Sequence, residues 1–299
     1  MQHVLTLVAP KGALSKHLVS AVRAALQDLG ATVGGPDWLS PEEAADIPFD
    51  GLAPEQADAA ARRALEGAAV DAIAQPAEGR RKKLLLADMD STIVTTETLD
   101  ELAAFAGVKE RVAPITERAM RGELDFRQAL AERVALLAGL PVSALERTWD
   151  ATEMMLGAAE LVATMSAHGA RCVLVSGGFT FFTERVATRL GFHAHQSNTL
   201  LIDGGKLTGR VAEPILDRDA KLAALKRDAA ERGLPLSATL AVGDGANDLD
   251  MLNAAGLGIA FNAKPFVREQ AHTALNQPYL DAVLQVLGFT RDEVLDAVP

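Results

Sequence analysis

Three short apolar runs in this chain each end on polar residues of the kind that do chemistry. The first, LLLA, begins at Leu84 and leads into Asp88, Asp90, Ser91 and Thr92. The second, VLVSGGF, spans 173–179 and carries Ser176 and two glycines. The third, LAVGDGAND, spans 240–248 and carries Asp244, Asn247 and Asp248. Apolar runs this short, alternating with helix-patterned sequence, predict a buried parallel sheet joined by crossovers. Ligands of such sheets bind beyond the carboxyl ends of the strands, where these polar residues fall. Fold class and site position therefore follow from one pattern. Residues 97–157 interrupt the alternation with helix-like sequence only. Asp203-Gly204-Gly205-Lys206 reads as a tight hairpin turn, and the tail from about 279 as one or two helices packing on the core.

Asp88 and Asp90 are two positions apart, and a strand points such positions the same way. Like charges that close repel unless a cation lies between them or one holds a proton. Oxygen ligands at such a site suit magnesium. Taken alone, DMDST is equally an acidic turn that caps a helix. Lys221, in RDAKLAAL, is on its own a routine helix-surface lysine.

In order along the chain, these are an Asp pair, a strand-end hydroxyl, a lysine and a second acidic cluster. The set resembles the four motifs of the haloacid dehalogenase superfamily of phosphoryl-transfer enzymes. The segments ETLDELAAFAGV (97–108), ITERAMRGELDF (115–126), RVALLAGLP (133–141) and GDGANDLDML (243–252) are similar to the branch that acts on O-phosphoserine. The likeness runs from about residue 82 to 275.

This resemblance implies a Rossmann-like parallel core over 81–299, with a helical cap at about 97–157 that excludes water from the pocket. It implies Asp88 as the nucleophile that forms a phosphoaspartyl intermediate, and Asp90 as general acid and then general base. Mg²⁺ would be held by the Asp88 carboxylate, the Asp90 backbone carbonyl and Asp244, with Asp248 on a metal-bound water. Ser176, the Gly177 N–H and Lys221 would grip the phosphoryl oxygens, with Asn247 bonding phosphate or orienting a neighbour. Glu97 would meet a substrate ammonium and Arg133 a carboxylate, between apolar walls from Met120 and Phe126. The implied reaction is hydrolysis of O-phospho-L-serine to L-serine and phosphate, the last step of serine biosynthesis. Asp250 departs from the pattern and is expected to face solvent with no catalytic part.

Residues 1–80 read as a separate α+β module: a strand at 4–8, a helix at 17–29, a polar and proline-bearing stretch, a helix at about 54–66 and a closing strand at 70–73. It is similar to a shortened ACT-type amino-acid-binding fold, without a ligand motif. The expected role is packing or homodimerisation, with serine sensing as the alternative. Arg80-Arg81-Lys82-Lys83 reads as a solvated linker. His193 and His195 read as surface or packing residues, with no cysteine or third histidine nearby for zinc.

The net charge of −11 disfavours nucleic acid and acidic membranes as partners. It leaves an anionic substrate open, since local cations reverse the field inside a pocket. Cys172 is the only cysteine, so no internal disulfide forms, which fits a reducing cytoplasm. No apolar run reaches the roughly 18–20 residues of a membrane span, and the N-terminus lacks a leader pattern. The expectation is a cytoplasmic enzyme with a small-molecule substrate. A phosphatase or phosphotransferase for another small phosphomonoester is the nearest competitor. A receiver-type signalling domain also uses a strand-end Asp, but it lacks the second Asp and the insertion at 97–157.

Overall fold

The structure, a computed structural model, describes residues 1–120 and 123–297, without the side chains of Glu117, Ala119 and Met120. The side chain of Met120, expected to wall the site, thus lies outside what is described.

The first sheet is antiparallel. Its strands are β1 (His3–Val8), β2 (Thr32–Val33), β3 (Asp37–Ser40), β4 (Ala44–Asp50) and β5 (Asp71–Pro76), in the order β2-β4-β1-β5 with β3 against β4. Helices α1 (Lys16–Asp28) and α2 (Pro54–Ala64) complete a ferredoxin-like βαββαβ plan with β3 added. Leu5 and Leu7 face these helices in one apolar cluster. The polar, proline-bearing reading of the middle stretch is corrected here. Pro48 sits inside β4 opposite Val4, and a proline within a run masks a strand signal. Ala44, Ala45, Ile47 and Phe49 of the same strand are fully buried.

The second sheet is parallel and sits between helices. After β6 (Leu84–Ala87) come four insertion helices: α3 (Thr98–Phe105), α4 (Lys109–Met120), α5 (Phe126–Ala135) and α6 (Ser143–Asp150). Then follow α7 (Ala158–Ala167), β7 (Arg171–Phe179), α8 (Thr180–Leu190) and β8 (Ala194–Asn198). The hairpin of β9 (Leu200–Asp203) and β10 (Lys206–Val211) turns at Gly204 and Gly205, both left-handed at φ 53° and 75°, as the sequence indicates. The chain continues through α9 (Arg218–Glu231), β11 (Thr239–Gly243), α10 (Leu249–Ala254), β12 (Leu257–Phe261), α11 (Pro265–Gln270), β13 (Thr273–Leu275) and α12 (Ala282–Val286). The strand order is β13-β12-β11-β6-β7-β8. Leu84 and Leu86 pack with Leu225 and Met251 on one face, and Leu85 and Ala87 with Val162 and Val186 on the other. Burial on both faces explains why the run is apolar without alternation.

At the base of the insertion, Val94 bridges Met154. The Thr95 N–H donates to Glu153 O, and the Met155 N–H to Ile93 O. The expected solvated linker is instead a row of tethers. Arg80 pairs with Asp46 at 2.6 Å. Arg81 lies 4.2 Å over the Phe289 ring and donates to Gly288 O, and Lys82 donates to Ser237 O. Among the described residues, no helix is long and apolar enough to cross a membrane. Cys172 is free and buried, and burial pushes its thiol up to about 11, which suits a packing role.

Candidate active site

Strands β11, β6 and β7 are neighbours, so the three polar run-ends converge on one edge. The Asp88 N–H continues the ladder, donating to Val242 O at 2.9 Å. The Asp88 carboxylate meets Lys221 Nζ at 2.7 Å, and the same ammonium reaches Asp248 Oδ1 at 2.6 Å. Lys221 is 1% exposed on the inner face of α9, so the surface reading of this residue fails. Burial opposes its charge, but Asp248 and Asp88 together hold the ammonium above its ordinary range. Burial and then Asp248 push the Asp88 carboxyl well up, with Lys221 opposing.

Asp88, Asp244 and Asp248 bring ligand oxygens within 4.8 Å of one another. The Gly245 N–H fixes Asp248 at 3.0 Å. A Cβ on Gly243 would fall 2.5 Å from Asp248 Cγ, so only glycine admits the carboxylate there. Asp244 accepts from the Thr92 hydroxyl at 3.3 Å. Burial, then Asp248 and Glu97, raise its carboxyl to about 7. Three converging carboxylates with a single ammonium bonded among them form an oxygen set short of positive charge, and that fits a hard divalent cation.

Asp90 lives in a different setting. Strand β6 ends at Ala87, and Ser91 adopts φ 55°, so Asp90 belongs to a turn and strand alternation does not orient it. Its Oδ1 accepts the Thr98 N–H at the start of α3 at 2.8 Å, and its Oδ2 accepts the Ser176 hydroxyl at 3.2 Å. Burial, then Glu97, raise it to about 6. Ser176 accepts the Gly178 N–H at 2.8 Å. A side chain at Gly178 would sit 2.8 Å from Asp90 Oδ2.

A cavity of about 650 Å³ opens between this floor and the insertion helices. It gathers Asp88, Asp90, Glu97, Phe126, Arg133, Gly177, Asp244 and Asn247, while Ser176, Lys221 and Asp248 lie buried next to it. Glu97 accepts the Ser91 hydroxyl at 2.8 Å. Arg133 donates its Nε to Ala129 O at 3.2 Å, and burial lowers its pKa. The Phe126 ring comes within 3.1 Å of where a Gly177 Cβ would be. Asp100, Arg218 and Lys264 also line the cavity. Sequence reasoning missed these three, because a lone charge carries no local signature. Asp250, expected to be idle, holds the Arg218 guanidinium through both carboxylate oxygens. His193 accepts the Cys172 N–H, and His195 bonds Thr183, so the two histidines serve separate packing contacts.

The model of the haloacid dehalogenase-like hydrolases matches residues 85–253. The chain belongs to that family. It is 50% identical over 228 residues to the phosphoserine phosphatase of Streptomyces coelicolor, a match covering 76% of this chain and 56% of that one. It is also 50% identical over 206 residues to the phosphoserine phosphatase of Streptococcus thermophilus, covering 69% of this chain and 96% of that one. The chain thus spans about half the length of the Streptomyces relative and nearly all of the Streptococcus one. The crystal structure of a probable phosphoserine phosphatase from Vibrio cholerae superposes with a TM-score of 0.76 at 33% identity, covering 96% of this chain and 86% of that one.

Proposed function

We propose that this chain is a magnesium-dependent phosphatase that hydrolyses O-phospho-L-serine to L-serine and phosphate, closing serine biosynthesis in the cytoplasm. The observation that carries this reading is one cavity with two chemically distinct walls. Its floor joins Asp88, Lys221, Asp244 and Asp248, a set for handling phosphate. Its other wall presents Glu97 and Arg133, a matched pair for an ammonium and a carboxylate. Relatives bearing the phosphoserine phosphatase name support the same substrate.

In this mechanism Lys221 favours the ionised form of Asp88 against burial and Asp248, and Asp88 attacks phosphorus in line with the seryl oxygen. The bond from phosphorus to that oxygen breaks as Asp90 delivers its proton to the leaving group. Asp90 then takes a proton from water. The water attacks the phosphoaspartate, freeing phosphate and restoring Asp88. The Thr98 N–H and the Ser176 hydroxyl hold Asp90 in place for both proton transfers. The Gly177 N–H and Lys221 receive the phosphoryl oxygens. Asp88, the Asp90 carbonyl, Asp244 and Asp248 would hold magnesium, which would supply the charge neutralisation that lets two anions meet. Residues 1–80 form a packing module in this reading.

The test is phosphate release from L-phosphoserine, D-phosphoserine, phosphothreonine, phosphoethanolamine and 3-phosphoglycerate, with and without magnesium. L-Phosphoserine should lead, and chelation should stop turnover. Arg133→Ala should lose about 100-fold more on phosphoserine than on p-nitrophenyl phosphate, the scale of a desolvated charge contact. A flat panel, or equal losses on both substrates, would remove Glu97 and Arg133 from substrate recognition.

A further inference from the structure

Three ion pairs join the insertion helices to the core among the described residues, the weakest of them Arg127 to Glu213 at 4.0 Å. Arg185 of α8 meets Glu146 of α6 at 3.1 Å. Arg127 of α5 donates from Nε and Nη2 to one oxygen of Asp217, at 2.9 and 2.8 Å. The pair of Arg127 and Asp217 stands beside the cavity, because Arg127 follows Phe126 and Phe126 leans on Gly177. The other oxygen of Asp217 accepts the Ala220 N–H at 3.2 Å and caps the start of α9, the helix that carries Lys221. One carboxylate therefore ties the start of the helix bearing Phe126 and Arg133 to the start of the helix bearing Lys221.

We propose that Arg127 and Asp217 form a latch that closes the insertion over the cavity and sets Arg133 and Phe126 against the phosphate-handling floor. Both are positioning residues. Arg127 is 52% exposed and the Asp217 side chain 19%, so the pair is screened and modest in strength. A lid that opens once per turnover needs a contact of that kind, strong enough to bias closure and weak enough to release product. The kinetic arm of the test rests on the phosphatase reading above.

Asp217→Asn removes the charge yet keeps a good helix cap. Asp217→Asn and Arg127→Gln should each raise KM for phosphoserine about threefold, with kcat within about twofold. The double variant should be no worse than Arg127→Gln alone, because once the guanidinium is gone Asp217 has no latch contact left to lose. Arg127→Glu sets like charges together and should raise KM about tenfold, returning to about threefold when Asp217→Asn and Glu213→Gln are both added, since Glu213 also lies 4.0 Å from Arg127. Glu146→Gln, at the pair with Arg185, should leave KM unchanged. Amide exchange over 126–135 should quicken in Asp217→Asn and stay unchanged in Glu146→Gln. Single variants with parental KM and parental exchange, or losses that multiply in the double variant, would overturn the latch. A parent that ignores phosphoserine would sink the substrate assignment, and the exchange comparison would still decide the latch.

Discussion

The antiparallel sheet and the motif-bearing edge of the parallel sheet bury aspartates under opposite rules. Around the first sheet the buried Asp46 and the half-buried Asp58 each have their own partners. Asp46 has Arg80 at 2.6 Å and the Thr6 hydroxyl at 2.7 Å. Asp58 accepts the Ala74 N–H at 2.6 Å and lies 3.6 Å from Arg62. At the edge of the second sheet, Asp88 and Asp248 share Lys221, and Asp244 has the Thr92 hydroxyl. One-to-one compensation is how a fold tolerates an internal charge. A surplus of carboxylates is what remains when a site is built to complete itself with something from solution.

The sharpest way to break this contrast is Asp88→Asn. Loss of the proposed attacking group should cut phosphate release at least about 10³-fold, with no phosphoenzyme trapped by acid quench. Activity above about 1% of the parent would give the surplus another purpose. Next in size is Lys221→Met, which leaves Asp88 and Asp248 uncompensated. Urea unfolding in chelator should show a loss of about 3 kcal/mol, partly regained in magnesium. A neutral result would mean that protonation already balances the cluster. The smallest effect tests the other sheet. Burial raises Asp58 to about 6, against the Ala74 N–H and Arg62, from an ordinary value of 3.8. A carboxyl whose folded pKa lies above its unfolded one favours the folded state when protonated. Stability should therefore rise as pH falls from above 6 towards 4, and the charge penalty is complete above 6. Asp58→Asn escapes that penalty and should stabilise the protein by about 2 kcal/mol at pH 8, with the gain gone near pH 4. An equal gain at both pH values would mean that Asp58 is not strained by its charge.

The convergence of Asp88, Ser176, Asp244 and Asp248 was legible in the sequence because each sits at or near the end of an apolar run, and the pattern is local; Lys221, inside α9, gave no such signal. What could not be read depends on partners brought from far away. Arg80 finds Asp46, and Arg81 finds Gly288 and Glu293. Arg218 finds Asp250, and Arg127 finds Asp217 across 90 residues. Each looks like an ordinary surface charge until the fold closes. Strand β4 was hidden by Pro48, and the turn at Asp90 could not be read because β6 ends at Ala87, before either aspartate, and Ser91 takes a left-handed φ of 55°. Sequence spacing alone had placed both aspartates on one strand face.

The seam between the two sheets has a consequence for how the molecule comes apart. Val8 and Ile73, on β1 and β5, belong to the same apolar cluster as Leu85, Val283 and Leu284. Gln75 donates to Val286 O, and Gln277 to Val8 O. The left-handed Gly288 (φ 79°) leaves room for the Arg80 guanidinium, which would lie 2.0 Å from any Cβ placed there. Melting either sheet would strip apolar cover from the other, so the two stand or fall in one cooperative step. A cut at residue 80 would separate the sheets in sequence and leave each with an apolar scar where its neighbour had been.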